Sequence, residues 1–150
     1  MATIDVTDLI LGRFSTVVAK RALMGEKIDL VNCGKAIITG DKVTVYKKYK
    51  EQDKRGTPLK GPYLPKMPDR FVRRAIRGML PYKQEKGKLA FERIMCYLGV
   101  PEELKAEKLE TIEIANITKS KTFKYITVEE LCKLLKRWRQ YIEVEKERHQ

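Results

Sequence analysis

The sequence has few of the residue types on which metal centres and many catalytic sites depend. Its 150 residues include one histidine and three cysteines. His149 stands next to the C-terminus, where chain ends are usually solvated. Cys33, Cys96 and Cys132 lie far apart among apolar residues, which fits neither a zinc-ligand spacing nor a disulfide framework. We therefore expect buried, reduced thiols, no metal site and no cofactor.

Motifs for phosphate cofactors and for nucleophilic catalysis are also missing. The sequence contains no G-x-G-x-x-G, and the Gly-Lys pairs at Gly34 and Gly87 have Asp29 and Tyr82 where a P-loop has its first glycine. A serine or cysteine nucleophile needs a base within hydrogen-bond reach, and a histidine at the chain end is poorly placed for this role. A carboxylate pair among the 20 acidic residues stays open, although no spacing selects one. We expect no catalytic residues and no enzymatic activity.

Long apolar runs are absent as well. No segment approaches the roughly 18 apolar residues of a membrane span. The N-terminal MATIDVTDLILGRF lacks the charged start and long apolar core of a secretion signal. Hydrophobic residues make up 43% of the chain, which is sufficient for one buried core. These features predict a soluble cytoplasmic protein that forms one domain over residues 1–150 and has no membrane partner.

Positive charge is abundant and unevenly distributed. The formal net charge is +12, and the stretch from Lys47 to Lys88 has 14 Lys and Arg against 4 Asp and Glu, while the rest of the chain has 18 against 16. A charge that serves only solubility would be spread over the whole surface. The concentration therefore indicates a surface for nucleic acid or for an acidic membrane face. A lysine-rich solvated loop is the alternative interpretation.

Within this stretch, residues 69–79 predict a helix with one cationic side. Arg70, Arg73, Arg74 and Arg77 fall within one arc of a helix. The opposite side is apolar and consists of Phe71, Val72, Ala75, Ile76 and Met79. Guanidinium groups on one face repel one another unless an anion neutralises them, and their planar fork matches the oxygens of phosphate.

Two basic segments flank this helix. The preceding segment, GTPLKGPYLPKMPD, contains four of the six prolines and predicts an extended basic arm over about residues 50–68 that lies along a phosphate backbone. The candidate contacts in the arm are Arg55, Lys60 and Lys66. A long connection is the alternative. After the helix, Pro81 and Gly87 predict a loop whose basic residues are Lys83, Lys86 and Lys88.

The N-terminal third predicts a β-α-β unit. Apolar runs of strand length occur at TIDV, at Ile28 to Cys33 and at AIITG. Between the first two runs, the positions with helical spacing are Phe14, Val17, Val18 and Met24. Two strands that are joined by a helix form a parallel pair. Residues 41–55 allow either a strand or a helix.

The last third of the chain has a different character. Residues 94–98 are apolar and strand-like, and the acidic segment that follows is expected to pack on the body or to contact a basic neighbouring protein. Thr127 and Glu130 form a capping-box pattern, which predicts a final helix. The apolar side of this helix consists of Val128, Leu131, Leu134, Leu135, Trp138 and Ile142.

Two long blocks of the sequence carry family-specific patterns. The first, LGRFSTVVAKRALMGEKIDLVNCGKAIITGDK, contains Leu-Gly-Arg from Leu11 to Arg13 and the run from Val31 to Gly40 that ends in Ile-Thr-Gly. The second, DRFVRRAIRGMLPYKQEKGKLAFERIMCYLGVP, contains Arg-Gly-Met-Leu-Pro. In this order, the blocks resemble the L-thirteen family of universal large-ribosomal-subunit proteins. The chain departs from the bacterial pattern within residues 51–68 and after Pro101, as the archaeal and eukaryotic branch does.

The resemblance implies a three-layer α/β/α fold around a four-stranded, mainly parallel sheet, with a helix over residues 41–50 and a C-terminal extension over about residues 102–150. It also implies a structural component of the cytoplasmic ribosome that binds large-subunit ribosomal RNA, lies beside other large-subunit proteins and catalyses no reaction. The family's basic patch maps onto Arg13, Lys47, Lys48, Arg70, Arg73, Arg74, Arg77, Lys83, Lys86 and Lys88. An RNA-modifying enzyme and a basic adaptor for acidic surfaces remain as alternatives.

Overall fold

The computed structural model describes residues 2–57, 59–104, 108–121 and 123–136. In chain order the strands and helices are β1 (Ala2–Asp5), α1 (Leu11–Leu23), β2 (Ile28–Val31), β3 (Ile37–Thr39), α2 (Lys42–Lys54), α3 (Pro68–Met79), α4 (Glu85–Glu92), β4 (Ile94–Cys96), β5 (Leu109–Glu110), β6 (Tyr125–Thr127) and α5 (128–136).

A parallel sheet lies at the centre of the fold, with its four strands in the order β4-β2-β1-β5. Strands β1 and β2 are rich in apolar residues, as expected for strands that are covered on both faces. Ile4, Ile28 and Leu30 have no exposed surface. α1 connects β1 to β2, so the predicted β-α-β unit is confirmed. Helices cover both faces of the sheet, which confirms the α/β/α architecture.

The segment that allowed either a strand or a helix forms α2. Its side chains at positions 45, 46 and 49 decide the outcome, because helical spacing places all three on the side that faces the body. Val45 is buried in the core, and Tyr46 and Tyr49 pack against it. Packing of this apolar stripe therefore selects the helix where intrinsic propensity leaves the choice open.

The third predicted strand does not join the central sheet. β3 instead pairs antiparallel with β6 in a two-stranded ribbon, in which Ile38 lies opposite Ile126. α5 follows β6 directly, and the hydroxyl of Thr127 accepts a hydrogen bond of 3.3 Å from the backbone N–H of Glu130. This is the N-cap bond that the capping-box pattern predicts.

The C-terminal extension is built into the fold. It supplies β5, which pairs with the outer edge of β1, and β6, which pairs with β3. On α5, Val128, Leu131 and Leu135 are buried in the core. The acidic segment therefore packs on the body, as expected. Trp138, Ile142 and His149 lie outside the described residues.

An ion-pair cluster joins the extension to α1. The Arg21 guanidinium lies 2.6 Å from a carboxylate oxygen of Glu26 and 3.1 Å from one of Glu110 on β5. The hydrogen bonds from Arg21 lower the pKa of Glu26, because they stabilise its charged form. The cluster thus fixes the C-terminal end of α1 to the edge strand of the sheet.

The loop predicted for residues 82–88 is wrong in its second half. The turn after Pro81 is short, and α4 begins at Glu85. Gly87 lies inside this helix, where a Cβ would overlap the carbonyl group of Pro81. The glycine therefore permits close packing of α4 on the turn that follows α3, instead of marking a loop. Ala90 is buried and anchors the same side of the helix.

Two of the three cysteines have the predicted burial. Cys33 and Cys132 are buried, Cys96 is half-buried, and all three are free. Burial raises the pKa of Cys132 to about 11, since the thiolate would be poorly solvated. Among the helices of the described residues, none is long and apolar enough to cross a membrane.

Candidate nucleic-acid interface

Helix α3 presents the arginines because its other side is held in the core. Pro68 occupies the first turn, where its missing N–H costs no hydrogen bond, and Asp69 complements the N-terminal end of the helix. Phe71, Val72 and Ile76 are buried, as predicted. Ala75 and Met79 belong to the same predicted apolar side, but Ala75 is half-buried and Met79 is 43% exposed.

The four arginines are not equivalent. The guanidinium of Arg73 lies 4.4 Å from the ring centroid of Phe91 on α4 and donates a hydrogen bond of 3.5 Å to the backbone carbonyl of Phe91. The guanidinium of Arg77 lies 4.4 Å from the ring centroid of Tyr82. Both arginines are half-buried. They hold α4 and the preceding turn against α3.

Arg70 and Arg74 are exposed, and neither forms an ion pair or a cation–π contact within the part of the chain that the structure describes. The prediction of four cations alone on one face is thus wrong for Arg73 and Arg77. Their partners, Tyr82 and Phe91, were missed because an aromatic residue beyond a turn gives no periodic signal.

Helix α2 adds basic residues beside α3. Lys47 and Lys48 are exposed on α2. The ring of Tyr49 contacts Phe71 of α3 edge to face, with the ring centroids 5.1 Å apart. Burial raises the pKa of Tyr49, because its phenolate would be poorly solvated. This aromatic contact joins the helix that carries the lysines to the helix that carries the arginines.

The proline-rich segment is a folded loop. Gly56 and Gly61 touch, since a Cβ at Gly56 would overlap the Gly61 carbonyl, and the Gly61 N–H donates a hydrogen bond of 2.9 Å to the carbonyl of Thr57. Residues 62–66 then return without helix or strand, as predicted. Leu64 packs against the core.

Lys66 is drawn into this loop by an ion pair. Its ammonium group lies 2.6 Å from a carboxylate oxygen of Asp53 on α2, and its side chain is only 13% exposed. The predicted arm also ends too late, because Pro68 belongs to α3 and not to the loop. The expectation of an extended arm with all its cations available is therefore corrected: Arg55 and Lys60 are exposed, whereas Lys66 stabilises the loop.

The remaining predicted contacts occupy the ends of other elements. Arg13 is exposed in the first turn of α1, and Thr16, one turn later, contacts Met79 at the end of α3 with a distance of 3.6 Å between oxygen and sulfur. The exposed lysines after α3 are Lys83 in the turn and Lys86 and Lys88 on α4. The elements that carry these residues are neighbours, since α3 contacts α2, α4 and α1. We call the exposed ones among these basic residues, Arg13, Lys47, Lys48, Arg55, Lys60, Arg70, Arg74, Lys83, Lys86 and Lys88, the basic face.

A cavity of about 370 Å³ opens within the basic face, between the end of α2, the folded loop and α3. Its lining combines aromatic rings, an amide and two guanidinium groups, from Tyr49, Gln52, Arg55, Tyr63, Phe71 and Arg74. Sequence reasoning selected the two arginines but missed Gln52 and the tyrosines. Elsewhere in residues 2–57, 59–104, 108–121 and 123–136, no three His, Cys, Asp or Glu side chains converge in a way that could hold a metal ion.

Comparison with known proteins identifies the family. The pattern described as ribosomal protein L13 matches residues 1–103. The chain belongs to this family. It is 49% identical over 133 residues to the large ribosomal subunit protein uL13 of Archaeoglobus fulgidus. This alignment covers 88% of this chain and 85% of the relative. It is also 46% identical over 132 residues to the protein of that name from Methanosarcina barkeri, with coverage of 87% and 94%.

Membership of a ribosomal protein family agrees with the prediction of a structural, non-enzymatic protein. The family match ends at residue 103, whereas the alignments with the archaeal proteins span more residues than that match contains. The relatives therefore share at least part of the extension that supplies β5 and β6. This agrees with the predicted archaeal and eukaryotic type.

Proposed function

We propose that this protein is a structural component of the large subunit of the cytoplasmic ribosome, where its basic face binds and clamps ribosomal RNA. The single observation that carries the proposal is the set of exposed cations on α3 and its neighbours α2 and α4, in a chain that belongs to a ribosomal protein family. The archaeal relatives are named as proteins of the large subunit.

The arrangement of the basic face supports contact with the RNA backbone. Arg70 and Arg74 stand one turn apart on a helix whose opposite side is buried, so binding requires little reordering of the backbone. Lys and Arg contacts to phosphate carry little base information, and folded RNA is recognised largely by shape. Cations on α3 and on the two helices that contact it can bridge separate backbone segments and hold them in one arrangement.

The acidic surface of the extension lies apart from this role. Glu110 and Glu113 are exposed, and they pair with Arg21 and Lys119, respectively. These ion pairs leave little positive charge for phosphate, so we assign this surface to contacts with neighbouring proteins of the large subunit.

The test is binding of the full chain to a fragment of large-subunit ribosomal RNA over a range of salt concentrations. The variant Arg70→Gln/Arg74→Gln is expected to bind about tenfold or more weakly and to reduce the slope of log K against log salt by about 1.4 to 1.8. The matched control is Lys121→Gln/Lys124→Gln, which removes two exposed charges outside the basic segment.

The control is expected to retain most of the affinity and nearly the full slope. An equal effect of both double variants would show that binding depends on total charge and not on the basic face. Absence of RNA binding at low salt, together with binding to anionic vesicles, would contradict the proposed function and favour an adaptor for acidic surfaces.

A further inference from the structure

The cavity beside α3 has a composition that phosphate binding alone does not require. A flat cationic surface is sufficient to contact an RNA backbone, but here two guanidinium groups flank a recess lined by aromatic rings. We propose that this cavity binds one unpaired nucleotide of the RNA, with its base inside and its phosphates at Arg55 and Arg74. This inference rests on the proposed function and specifies how the RNA is held at one point.

The size and the inner surface of the cavity fit a nucleobase. Its volume of about 370 Å³ lies within the range of small-ligand sites, which begins near 300 Å³. Tyr49 and Phe71 form a rigid apolar inner wall through their edge-to-face contact. Gln52 adds an amide, which both donates and accepts hydrogen bonds and can therefore pair with the polar edge of a base.

Tyr63 supplies the surface on which a base can stack. Its side chain is 67% exposed, although it lines the cavity. The backbone of Gly61, with φ of +77°, supports the ring closely, because a Cβ there would lie 3.2 Å from the ring carbons Cδ2 and Cε2. The contact between Gly61 and Gly56 closes the loop on itself. One edge of the ring thus lies against the backbone of Gly61, and an exposed aromatic ring offers a stacking surface to any base.

The charges at the opening of the cavity select the class of ligand. Arg55 directly follows α2, and Arg74 lies on α3. Both are exposed, and neither is paired with a carboxylate of the described residues. Among the described residues, those that line the cavity include no Asp or Glu. An apolar peptide would gain little from two guanidinium groups, whereas an unpaired nucleotide offers an aromatic base and two flanking phosphates to the same site.

Binding of a single-stranded RNA and of a duplex that contains the same strand tests this proposal. In the full chain, Tyr63→Ala is expected to weaken single-strand binding about tenfold, the value of one lost stacking contact, and to leave duplex binding unchanged. Tyr63→Trp retains a ring and is expected to restore single-strand binding. Tyr125→Ala is the matched control, because Tyr125 is also an exposed aromatic residue, 43% exposed, but lies on β6.

The outcomes separate the two levels of the proposal. If Tyr63→Ala binds both RNAs like the unaltered chain while the ribosomal RNA fragment still binds tightly, the nucleotide site is refuted and the proposed function stands. An equal loss for single strand and duplex would also overturn the nucleotide site, because the cavity cannot hold a paired base. If the unaltered chain binds no RNA, the proposed function fails first.

Discussion

Basic residues of two kinds lie side by side in the stretch from Lys47 to Lys88. Arg73, Arg77 and Lys66 each contact a ring or a carboxylate of the protein itself. Arg70 and Arg74 come from the same helix as the first two, yet they are exposed and have no such partner among the described residues. Net charge treats all five alike, and helical spacing does not distinguish the four arginines. Only their neighbours show which cations stabilise the fold and which are available for a ligand.

Arg73 offers the largest test of this difference. Arg73→Ala removes the stacking on Phe91 and the hydrogen bond to its carbonyl, and is expected to lower the free energy of unfolding by about 2 kcal/mol. Arg70→Ala, on the exposed side of the same helix, is expected to change it by less than about 0.5 kcal/mol. Chemical denaturation measures both. Equal losses for the two variants would remove the distinction between paired and available arginines.

The next largest effect is expected at the folded loop. Lys66→Ala breaks the ion pair with Asp53 and is expected to destabilise the chain by about 1 kcal/mol, because the partly buried carboxylate loses its partner. Lys60→Ala, in the exposed turn of the same loop, is the control and is expected to leave stability unchanged. A thermal melt in which the control falls as far as Lys66→Ala would contradict the role assigned to the ion pair.

Arg77 should combine both kinds of behaviour. Its side chain lies on Tyr82 but remains half-exposed, so Arg77→Ala is expected to cost about 0.5 to 1 kcal/mol of stability. RNA affinity is expected to fall less than for Arg74→Ala. A double-mutant cycle with Tyr82→Leu isolates the contact, and a coupling energy of zero would show that the ring does not hold the guanidinium.

The smallest effect is expected from a paired cation outside the basic stretch. The pKa of Glu26 is lowered by Arg21, so this pair stabilises the fold fully above the ordinary glutamate pKa of 4.5. This stabilisation is lost as the pH falls from 4.5 through the lowered pKa of Glu26. It amounts to less than about 1 kcal/mol, because both side chains are partly exposed. Glu26→Gln should therefore reduce stability at pH 7 and show no difference from the unaltered chain in strong acid.

The sequence predicted those features of the fold that have a periodic or local signal. The β-α-β unit, the buried side of α3 and the N-cap at Thr127 were all found, because apolar spacing and capping patterns lie within one element. The helical start at Glu85 was missed, since Gly87 is typical of a loop. A glycine is required at position 87 because the helix approaches the Pro81 carbonyl closely there. Such contacts between elements cannot be predicted from the local sequence.

In the candidate site, too, features with a local signal were predicted and contacts between distant residues were not. The basic residues were predicted from composition, but their sorting into paired and available groups was not. Contacts such as Arg73 with Phe91 and Lys66 with Asp53 join residues that are distant along the chain. The cavity was also missed, because its aromatic and amide residues come from three segments that only packing brings together.

The pairing of β5 with β1 has a consequence for synthesis of the chain. Thr3 and Ile4 are made first, yet their partners Leu109 and Glu110 follow only after the whole family-matched region has been made. Until then, the outer edge of β1 presents unpaired backbone groups, which favour pairing between separate nascent chains. A shortened product that stops before the extension would leave Thr3 and Ile4 without these partners, so that β1 would form the edge of the sheet in place of β5.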